Sequence, residues 1–242
     1  MPTKIPKDQN HLFHSIPDVE WGRFLPYIET VEMPLGMILY KPGMKLSHVY
    51  FPSTSIVSIL HDLADGTSAE VAAVGNEGLV GISIFMGGGT TSSTAIVKSA
   101  GLGYKIKSDL LLQEFNHSPP LMHLLLRFTQ ALISQMTQTA VCNRHHLLEQ
   151  QLCRLLLINF DRLESNELVM TQELIARLLG VRREGITEAA LKIQKAGFIK
   201  YARGHITILN RLGLEHGACE GYQVVKKNMP AFFRKESLFN KA

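Results

Sequence analysis

Residues 171–209 read TQELIARLLGVRREGITEAALKIQKAGFIKYARGHITIL, and this stretch decides the fold of the C-terminal part of the chain. Apolar residues one helical turn apart come first, and Gly180 separates them from a second helical pattern. Thr171 can cap the first helix by accepting from its first-turn amides, and glycine allows the left-handed backbone of a tight reversal. The stretch therefore predicts a helix-turn-helix hairpin. The apolar positions of its first helix are Leu174, Ile175, Leu178 and Leu179.

The second helical pattern separates apolar from charged side chains. Its predicted buried positions are Ile186, Ala189, Ala190 and Ile193. When the start of such a helix enters the major groove, arginine pairs in two places with guanine and glutamate accepts from cytosine. Arg183 and Glu184 are therefore candidate base-reading residues. The solvated face of any helical hairpin carries similar charges, so these two helices alone leave DNA binding open.

Two β-rich runs follow, at residues 198–201 and 205–209, with the dipeptide Arg203-Gly204 between them. Such runs around a polar turn that contains glycine predict a short hairpin. A helix-turn-helix followed by a hairpin is the winged form of the motif, and Arg203 and His205 are candidate phosphate contacts at the wing tip. Residues 212–233 then predict an amphipathic helix that covers the core of this domain. Its basic residues, and those just after it, are Lys226, Lys227, Arg234 and Lys235.

The chain has 242 residues, a formal net charge of +4 and a pI near 8.9. This length allows one large or two modest domains, and the mild charge does not indicate a general polyanion binder. No run approaches the ~20 apolar residues that span a bilayer, and residues 1–17 contain no apolar signal core. We therefore expect a cytoplasmic protein without a membrane partner.

The three cysteines, Cys142, Cys153 and Cys219, are far apart and form no CxxC pair. Such a set is typical of reduced thiols in a cytoplasmic protein. Three residues cannot supply four sulfur ligands, which argues against a structural zinc or iron–sulfur site. We therefore expect no metal site and no bound cofactor.

From about residue 31 to residue 106 the chain consists of short β-rich runs between turn residues. Examples are MILYKPG, HVYFPSTSIVSILHDL, SAEVAAVG, LVGISIF and TAIVKSAGLGYKI. Strands of this length and spacing predict a β-barrel or a double-sheet jelly roll. Residues 18–28 predict a short helix that packs on it through Trp21, Phe24 and Leu25.

A long helix is predicted from Pro119-Pro120 to about residue 163, because both prolines suit a first turn and no glycine or proline follows. Its apolar stripe must be buried against the barrel, a partner chain or both. Dimerisation is favoured because helix-turn-helix domains work in pairs. The stripe comprises Leu121, Leu125, Phe128 and Leu132, and its register then meets the polar Gln135, Thr139 and Cys142.

Four segments together resemble the Crp/Fnr family of bacterial transcription regulators: VYFPSTSIVSIL, VGNEGLVGISIFMGG, TQTAVCNRHHLLEQQLCRLLL and TQELIARLLGVRREGITEAALKIQKAGFI. The resemblance covers nearly the whole chain and is greatest to a proteobacterial branch described by its cyclic-nucleotide-binding domain. It implies an α+β fold with three parts. These are a cyclic-nucleotide-binding-like β-roll at residues 1–116, a dimerisation helix at residues 117–147 and a winged helix-turn-helix domain at residues 148–242.

By this resemblance Arg183 and Glu184 occupy the family's two base-reading positions. A third such position falls on Glu188, so the target sequence should differ from that of the cyclic-AMP receptor type. Thr171 and Gln172 match the phosphate-touching start of the first helix, and Arg182 replaces a serine that is usual in the family. The predicted DNA-contacting residues are Thr171, Gln172, Arg182, Arg183, Glu184, Thr187, Glu188, Arg203 and His205.

The predicted effector pocket departs from the family pattern. Cyclic-nucleotide binders of this fold hold the ribose with a glutamate right after a glycine and the phosphate with an arginine. Here the glycine matches Gly81, the glutamate position is Ile82, and the arginine position falls on Ser93 or Thr94. A buried phosphate without a cation is disfavoured, so the effector stays unidentified. The predicted pocket residues are Gly81, Ile82, Ser83, Ser93, Thr94, Gln135 and Thr139.

These observations predict a homodimeric regulator that binds palindromic double-stranded DNA and has no catalytic residues, with RNA polymerase as a further candidate partner. Two alternatives stay open: a sensor or scaffold without DNA binding, and a cupin-like jelly-roll metalloenzyme. The metalloenzyme would need clustered ligands, and the β-rich region offers only the isolated His48, His61 and Glu70. Haem ligation through a histidine also stays open. The candidates are His48, His61, His145 and His146.

Overall fold

The computed structural model describes residues 5–163 and 165–228, and its N-terminal part is a β-roll of two antiparallel sheets. The β-roll contains α1 (His11–Ser15), α2 (Asp18–Phe24), β1 (Glu29–Met33), β2 (Ile38–Tyr40), β3 (His48–Pro52), β4 (Ile56–Asp62), β5 (Ser68–Val74), β6 (Thr94–Ser99), β7 (Gly101–Lys107) and α3 (Ser108–His117). One sheet has the order β1-β7-β3 and the other β2-β6-β4-β5. Apolar residues of both sheets share one core, which confirms the predicted double-sheet roll.

The run LVGISIF at residues 79–85 is not the strand that the sequence predicts. Only Val80 pairs with a neighbour, Tyr50, and Ile82–Ile84 form a short 3-10 turn. Gly81 has a φ of +119°, which turns the backbone out of the extended conformation. The helices α1 and α3 are also absent from the sequence prediction. The predicted helix at residues 18–28 forms as α2 and the 3-10 turn Leu25–Tyr27.

Two helices follow the β-roll instead of the single long helix that the sequence predicts: α4 (Pro119–His145) and α5 (Leu148–Phe160). The chain is extended at His146 and Leu147. Gln150 Oε1 accepts from the Leu147 amide at 3.1 Å and so starts the second helix. No helix in the described part of the chain is long and apolar enough to cross a membrane.

The apolar stripe of α4 packs inside its own chain. Leu121, Leu125, Phe128 and Leu132 all lie in the core of the β-roll. Gln135 and Cys142, which continue that register, are buried as well. The sequence assigns this stripe to dimerisation with some preference, and the structure corrects that assignment, because one helix face cannot fill its own core and also meet a partner.

The C-terminal part, which we call the reader, comprises residues 148–163 and 165–228 and begins with α5. It contains β8 (Glu167–Val169), α6 (Gln172–Leu179), α7 (Arg183–Lys195), β9 (Ile199–Ala202), β10 (His205–Ile208), α8 (Arg211–Gly217) and α9 (Glu220–Asn228). The hairpin and the wing are as predicted, and β8 adds a third strand in the order β8-β10-β9. The predicted helix at residues 212–233 forms two helices. Its end after residue 228, with Arg234 and Lys235, lies outside the described residues.

The reader packs directly on the β-roll. Three residues of the four-stranded sheet, Ile56, Leu60 and Ala73, belong to the apolar core of the reader. Their strand neighbours Ile59 and Val74 point the other way, into the core of the β-roll. The sheet is therefore buried on both faces, by its own roll on one side and by the reader on the other.

A buried ion pair joins the two parts. Arg162 follows α5, and its Nε donates to Glu77 Oε1 at 2.9 Å, with both side chains only 7% exposed. Arg162 Nη2 also donates to the Ala73 carbonyl at 3.1 Å. A Cβ on Gly75 would lie 2.9 Å from Arg162 Cδ, so glycine is needed there to let the arginine in. Water has little access to the pair, so each buried charge needs the opposite charge of its partner.

We expect the Glu77→Gln variant to lose about 3–5 kcal/mol of unfolding free energy, because it leaves Arg162 buried without an ionic partner. Urea denaturation followed by circular dichroism measures this loss. The Glu29→Gln variant is the control, since it breaks the exposed pair of Glu29 with Lys105 and should barely shift the midpoint. Equal midpoints for the two variants would contradict the role assigned to the buried pair.

Candidate nucleic-acid interface

The helix-turn-helix geometry follows from residues at the ends of its two helices. The Thr171 side chain accepts from the Leu174 amide at 3.2 Å and caps α6. Gly180 ends α6 with a φ of +66°, the left-handed conformation that the sequence predicts. Each residue predicted to face inward on α7 is buried. Gly185 lets α7 approach Leu148 of α5 closely, because an added Cβ would lie 3.0 Å from Leu148 Cδ2.

The start of α7 presents three charged side chains to solvent: Arg182, Arg183 and Glu184. Arg182 occupies the N-cap position with extended backbone, and its side chain makes no capping hydrogen bond. The first-turn amides and two arginines therefore lie at one end of the helix, which is favourable for an anion such as a phosphate. This end of α7 is the part that helix-turn-helix proteins insert into the major groove.

Two residues further along α7 that are predicted to contact DNA already have partners within the chain. Thr187 Oγ1 donates to Gln172 Oε1 at 2.9 Å and links the two helices. Glu188 pairs with Lys192 at 2.9 Å, and Lys192 also reaches Glu149 at 2.6 Å. Hydrogen bonds to Glu149 and then Glu188 raise the pKa of Lys192 to about 12. A base contact by Glu188 would have to compete with this ion pair.

The wing ends in a tight turn that requires unusual backbone. Arg203 has a φ of +49° and Gly204 one of +84°, the combination found at the two central residues of a type I′ hairpin turn. His205 Nδ1 lies 2.6 Å from Glu167 Oε1 on the added strand β8. Tyr201 Oη donates to the Met170 carbonyl at 2.9 Å, and burial raises the pKa of this phenol, so it stays neutral.

A groove of about 390 Å³ runs between α7 and the wing. Five of the predicted contacts line it: Thr171, Gln172, Arg183, Thr187 and Arg203. The structure places Arg182, Glu184, Glu188 and His205 outside its walls. The sequence prediction misses the other five groove residues, of which Gln194 and Tyr201 have polar side chains. Gln194 lies at the end of α7 and Tyr201 on β9. No sequence pattern marks them as groove residues, because the groove exists only once the wing has folded beside α7.

A second cavity, of about 330 Å³, lies in the β-roll beside α4. Four residues of the predicted effector pocket line it: Gly81, Ile82, Ser83 and Ser93. The other walls are apolar side chains and hydroxyl groups, and no residue of the described chain that lines the cavity is charged. Burial raises the pKa of Tyr40, which also lines it, to about 12, so its hydroxyl is neutral.

The remaining predicted pocket residues lie elsewhere. Thr94 Oγ1 donates to Asp62 at 2.6 Å. Gln135 Nε2 donates to the Ala73 carbonyl at 3.1 Å, and Thr139 Oγ1 accepts from Arg154 at 3.0 Å. From α4 the cavity instead receives Leu132 and Met136. The prediction chose the polar residues of α4, but Gln135 bonds to the sheet and Thr139 bonds to the reader.

A buried polar cluster between sheet and reader has no counterpart in the sequence prediction. Glu70 accepts from Lys98 at 2.6 Å and also from Ser58. Burial lowers the pKa of Lys98, and the charge of Glu70 opposes this shift. A small cavity lined by Glu70 and Arg154 lies beside the cluster. The only available signal was the charge of Arg154 inside the apolar run LCRLLL.

Two of the histidines considered as metal or haem ligands, His48 and His61, lie on β3 and β4 of the β-roll. His61 is exposed, and His48 Nδ1 lies 3.0 Å from Ser47 Oγ. Within the described residues, His48, His61 and Glu70 do not come together as a group of metal ligands. The clustered ligands that a cupin-like enzyme needs are therefore not formed by these three residues.

Comparison with known proteins identifies the reader. Residues 150–216 match the family model of the Crp-like helix-turn-helix domain. No curated protein sequence gives a match to the chain.

Several solved structures share the fold. FixK2 from Bradyrhizobium japonicum is 15% identical with a TM-score of 0.67, covering 79% of this chain and 98% of its own. A CRP/FNR-family transcriptional regulator from Thermus thermophilus is 18% identical with a TM-score of 0.64, covering 78% and 98%. The c-di-GMP-responsive global regulator CLP of Xanthomonas campestris is 18% identical with a TM-score of 0.63, covering 79% and 99%. The chain thus carries a Crp-like helix-turn-helix domain, and its fold as a whole is that of Crp/Fnr-family transcription regulators.

Proposed function

We propose that this protein is a homodimeric, sequence-specific DNA-binding transcription regulator of the Crp/Fnr type, with the β-roll as its sensor. One observation carries the proposal: Arg183 at the start of α7 and Arg203 at the wing tip line the same open groove. A base-reading arginine and a phosphate-binding arginine on one surface are what a winged reader needs.

DNA reading is assigned to the exposed start of α7. Arg183 and Glu184 are exposed there and are the candidate readers of base edges. Arg203 is assigned to a phosphate, because the type I′ turn projects it from the end of the wing. Thr171 and Gln172, at the start of α6, are assigned to the phosphates of the adjacent backbone. The engaged Glu188 makes a weaker candidate for base contact.

Dimerisation is assigned to the outer face of α4, opposite the buried stripe. Leu126 and Ile133 are 42% and 47% exposed and stand seven residues apart, the spacing of a coiled-coil seam. Val141, at 45%, extends the exposed apolar surface towards the reader. Two copies that joined along this face would bring two readers to the same side of a two-fold axis.

Sensing is assigned to the 330 Å³ cavity of the β-roll. Its uncharged walls favour a neutral or hydroxyl-bearing small molecule over a cyclic nucleotide, whose phosphate would lack a cation. Ile59 and Val74 line this cavity, while Ala73, the neighbour of Val74 on β5, packs on the reader. A ligand that moved these strands would therefore act on the reader through a single sheet. Contact with RNA polymerase and a cytoplasmic location stay predictions.

The Arg183→Ala variant should cost about 1–3 kcal/mol of binding free energy at one base pair of each half-site, because one base-specific contact is lost. Gel shifts against the selected site and its single-base variants measure this. The Arg203→Gln variant is the control. Since Arg203 is assigned to a phosphate, its loss should weaken binding to all sequences alike and lower the salt slope by about one. Uniform weakening by Arg183→Ala would contradict its assignment as a base reader.

The Ile133→Glu variant should shift the protein from dimer to monomer, because it places like charges opposite each other in the seam. Sedimentation velocity across a concentration series measures the change. Leu35→Glu is the matched control, since Leu35 is 63% exposed on a turn of the β-roll. It should leave the dimer intact. A dimer that survives Ile133→Glu would exclude this face of α4 as the interface.

A further inference from the structure

The end of α4 meets the start of α9 at a cluster of metal-binding side chains. Cys142 on α4 and Cys219, which precedes α9, are 77 residues apart in sequence, and their sulfur atoms lie 3.0 Å apart. His146 lies one turn after Cys142, at the end of α4. One ligand atom from each of the three residues lies within 4.8 Å of the others. No spacing motif marks this cluster, because folding alone brings Cys219 to the other two.

The two nitrogens of His146 have different surroundings. Nε2 lies 3.1 Å from Glu220 Oε2. Nδ1 is fully buried and has no hydrogen-bond partner among the described residues. A neutral imidazole that donates from Nε2 keeps a lone pair on Nδ1, and a buried lone pair without a donor is unfavourable. Metal-binding histidines show this pattern, with a carboxylate on the nitrogen that does not hold the metal.

α4 and α9 approach each other closely beside the two sulfur atoms. A Cβ on Gly221 would lie 2.4 Å from Cys142 Sγ and 3.4 Å from Cys219 Sγ, so any side chain there would push α9 away. The same Cβ would lie 3.3 Å from Gln138 Oε1, one turn before Cys142 on α4. Both cysteines are buried, which leaves a closed site with soft sulfur ligands.

We propose that Cys142 Sγ, Cys219 Sγ and His146 Nδ1 bind a thiophilic divalent cation, with Zn²⁺ the preferred ion. Two thiolates and an imidazole are ligands that zinc favours, and a water or Gln138 Oε1 completes the tetrahedron. Zinc lies about 2.3 Å from sulfur and about 2.0 Å from nitrogen, so the two sulfurs need to separate by less than about 1 Å. Binding releases the two thiol protons to solvent.

A metal at this position fastens the last described helix of the reader to the helix that carries the proposed dimer face. This regulatory consequence rests on the proposed function, whereas metal binding itself does not. Loss of metal would free α9 from α4 and change how firmly the reader is held. The test therefore measures metal binding directly, without DNA.

The full-length protein, reduced and stripped with a chelator, is titrated with Co²⁺ and then with Zn²⁺. We expect one Co²⁺ per chain with strong thiolate-to-cobalt charge-transfer absorption, which one equivalent of Zn²⁺ abolishes. Cys142→Ser, Cys219→Ser and His146→Gln should each weaken or abolish the absorption. The matched controls Cys153→Ser and His145→Gln replace the third cysteine and the neighbouring histidine, and they should bind as the original protein does.

The Glu220→Gln variant keeps the test valid if the substitutions at the buried ligands unfold the protein. Glu220 is 73% exposed at its side chain, so folding should be unaffected. We expect metal affinity to fall about 10–100-fold with the shape of the absorption retained. Absence of the charge-transfer absorption in the original protein would overturn the proposal. So would an absorption that survives Cys142→Ser and Cys219→Ser, or a Cys142–Cys219 disulfide that persists in reductant and excludes the metal.

Discussion

The ion pair between Glu77 and Arg162 fixes how the reader lies on the β-roll. Its partners come from the turn after β5 and from the end of α5, so neither part of the molecule can satisfy its charge alone. The same turn carries Gly78, where an added Cβ would lie 1.9 Å from the Phe128 ring on α4. Four residues of one turn, residues 75–78, thus join the sheet, the central helix and the reader.

These contacts of residues 75–78 determine where the two candidate sites lie. The four-stranded sheet separates the β-roll cavity from the core of the reader, with Ile59 and Val74 on one face and Ile56 and Leu60 on the other. Arg177 of α6 donates to Ser68 on β5 at 2.9 Å, which holds the first helix of the hairpin on the sheet. The start of α7 is left facing solvent. The packing of one side of the reader on the sheet therefore also determines that the opposite side, with the start of α7, is exposed.

Local patterns were sufficient to predict the helix-turn-helix and the wing of the reader. The apolar spacing of α7, the cap at Thr171, the turn at Gly180 and the Arg203-Gly204 hairpin each depend on neighbours a few residues away. The β-roll was also predicted, because short strands between glycine turns are a local signal. The resemblance to Crp/Fnr regulators added the order of the parts, and the shared fold confirms it.

Features that depend on distant partners were not predicted. The apolar pattern of the α4 stripe fits both a core and a dimer seam, and the sequence prediction favours the seam, but the packed β-roll places the stripe in the core. Gln135 and Thr139 suggest ligand contact by their polarity, but their partners are Ala73 and Arg154. The expectation of no metal site rests on the absence of a CxxC pair and of four cysteines, and it could not foresee that a long-range contact brings Cys142, His146 and Cys219 together.

The central claim is that two copies of this reader recognise an inverted repeat. Its most direct measurement is selection from a random pool of double-stranded DNA by the full-length protein, with and without a small-molecule cell extract, followed by sequencing. The account predicts two inverted half-sites centred about 34 Å apart, one helical turn, with a guanine in each. A bound fraction that keeps the random composition of the pool in both conditions, or a single unrepeated site, would contradict it.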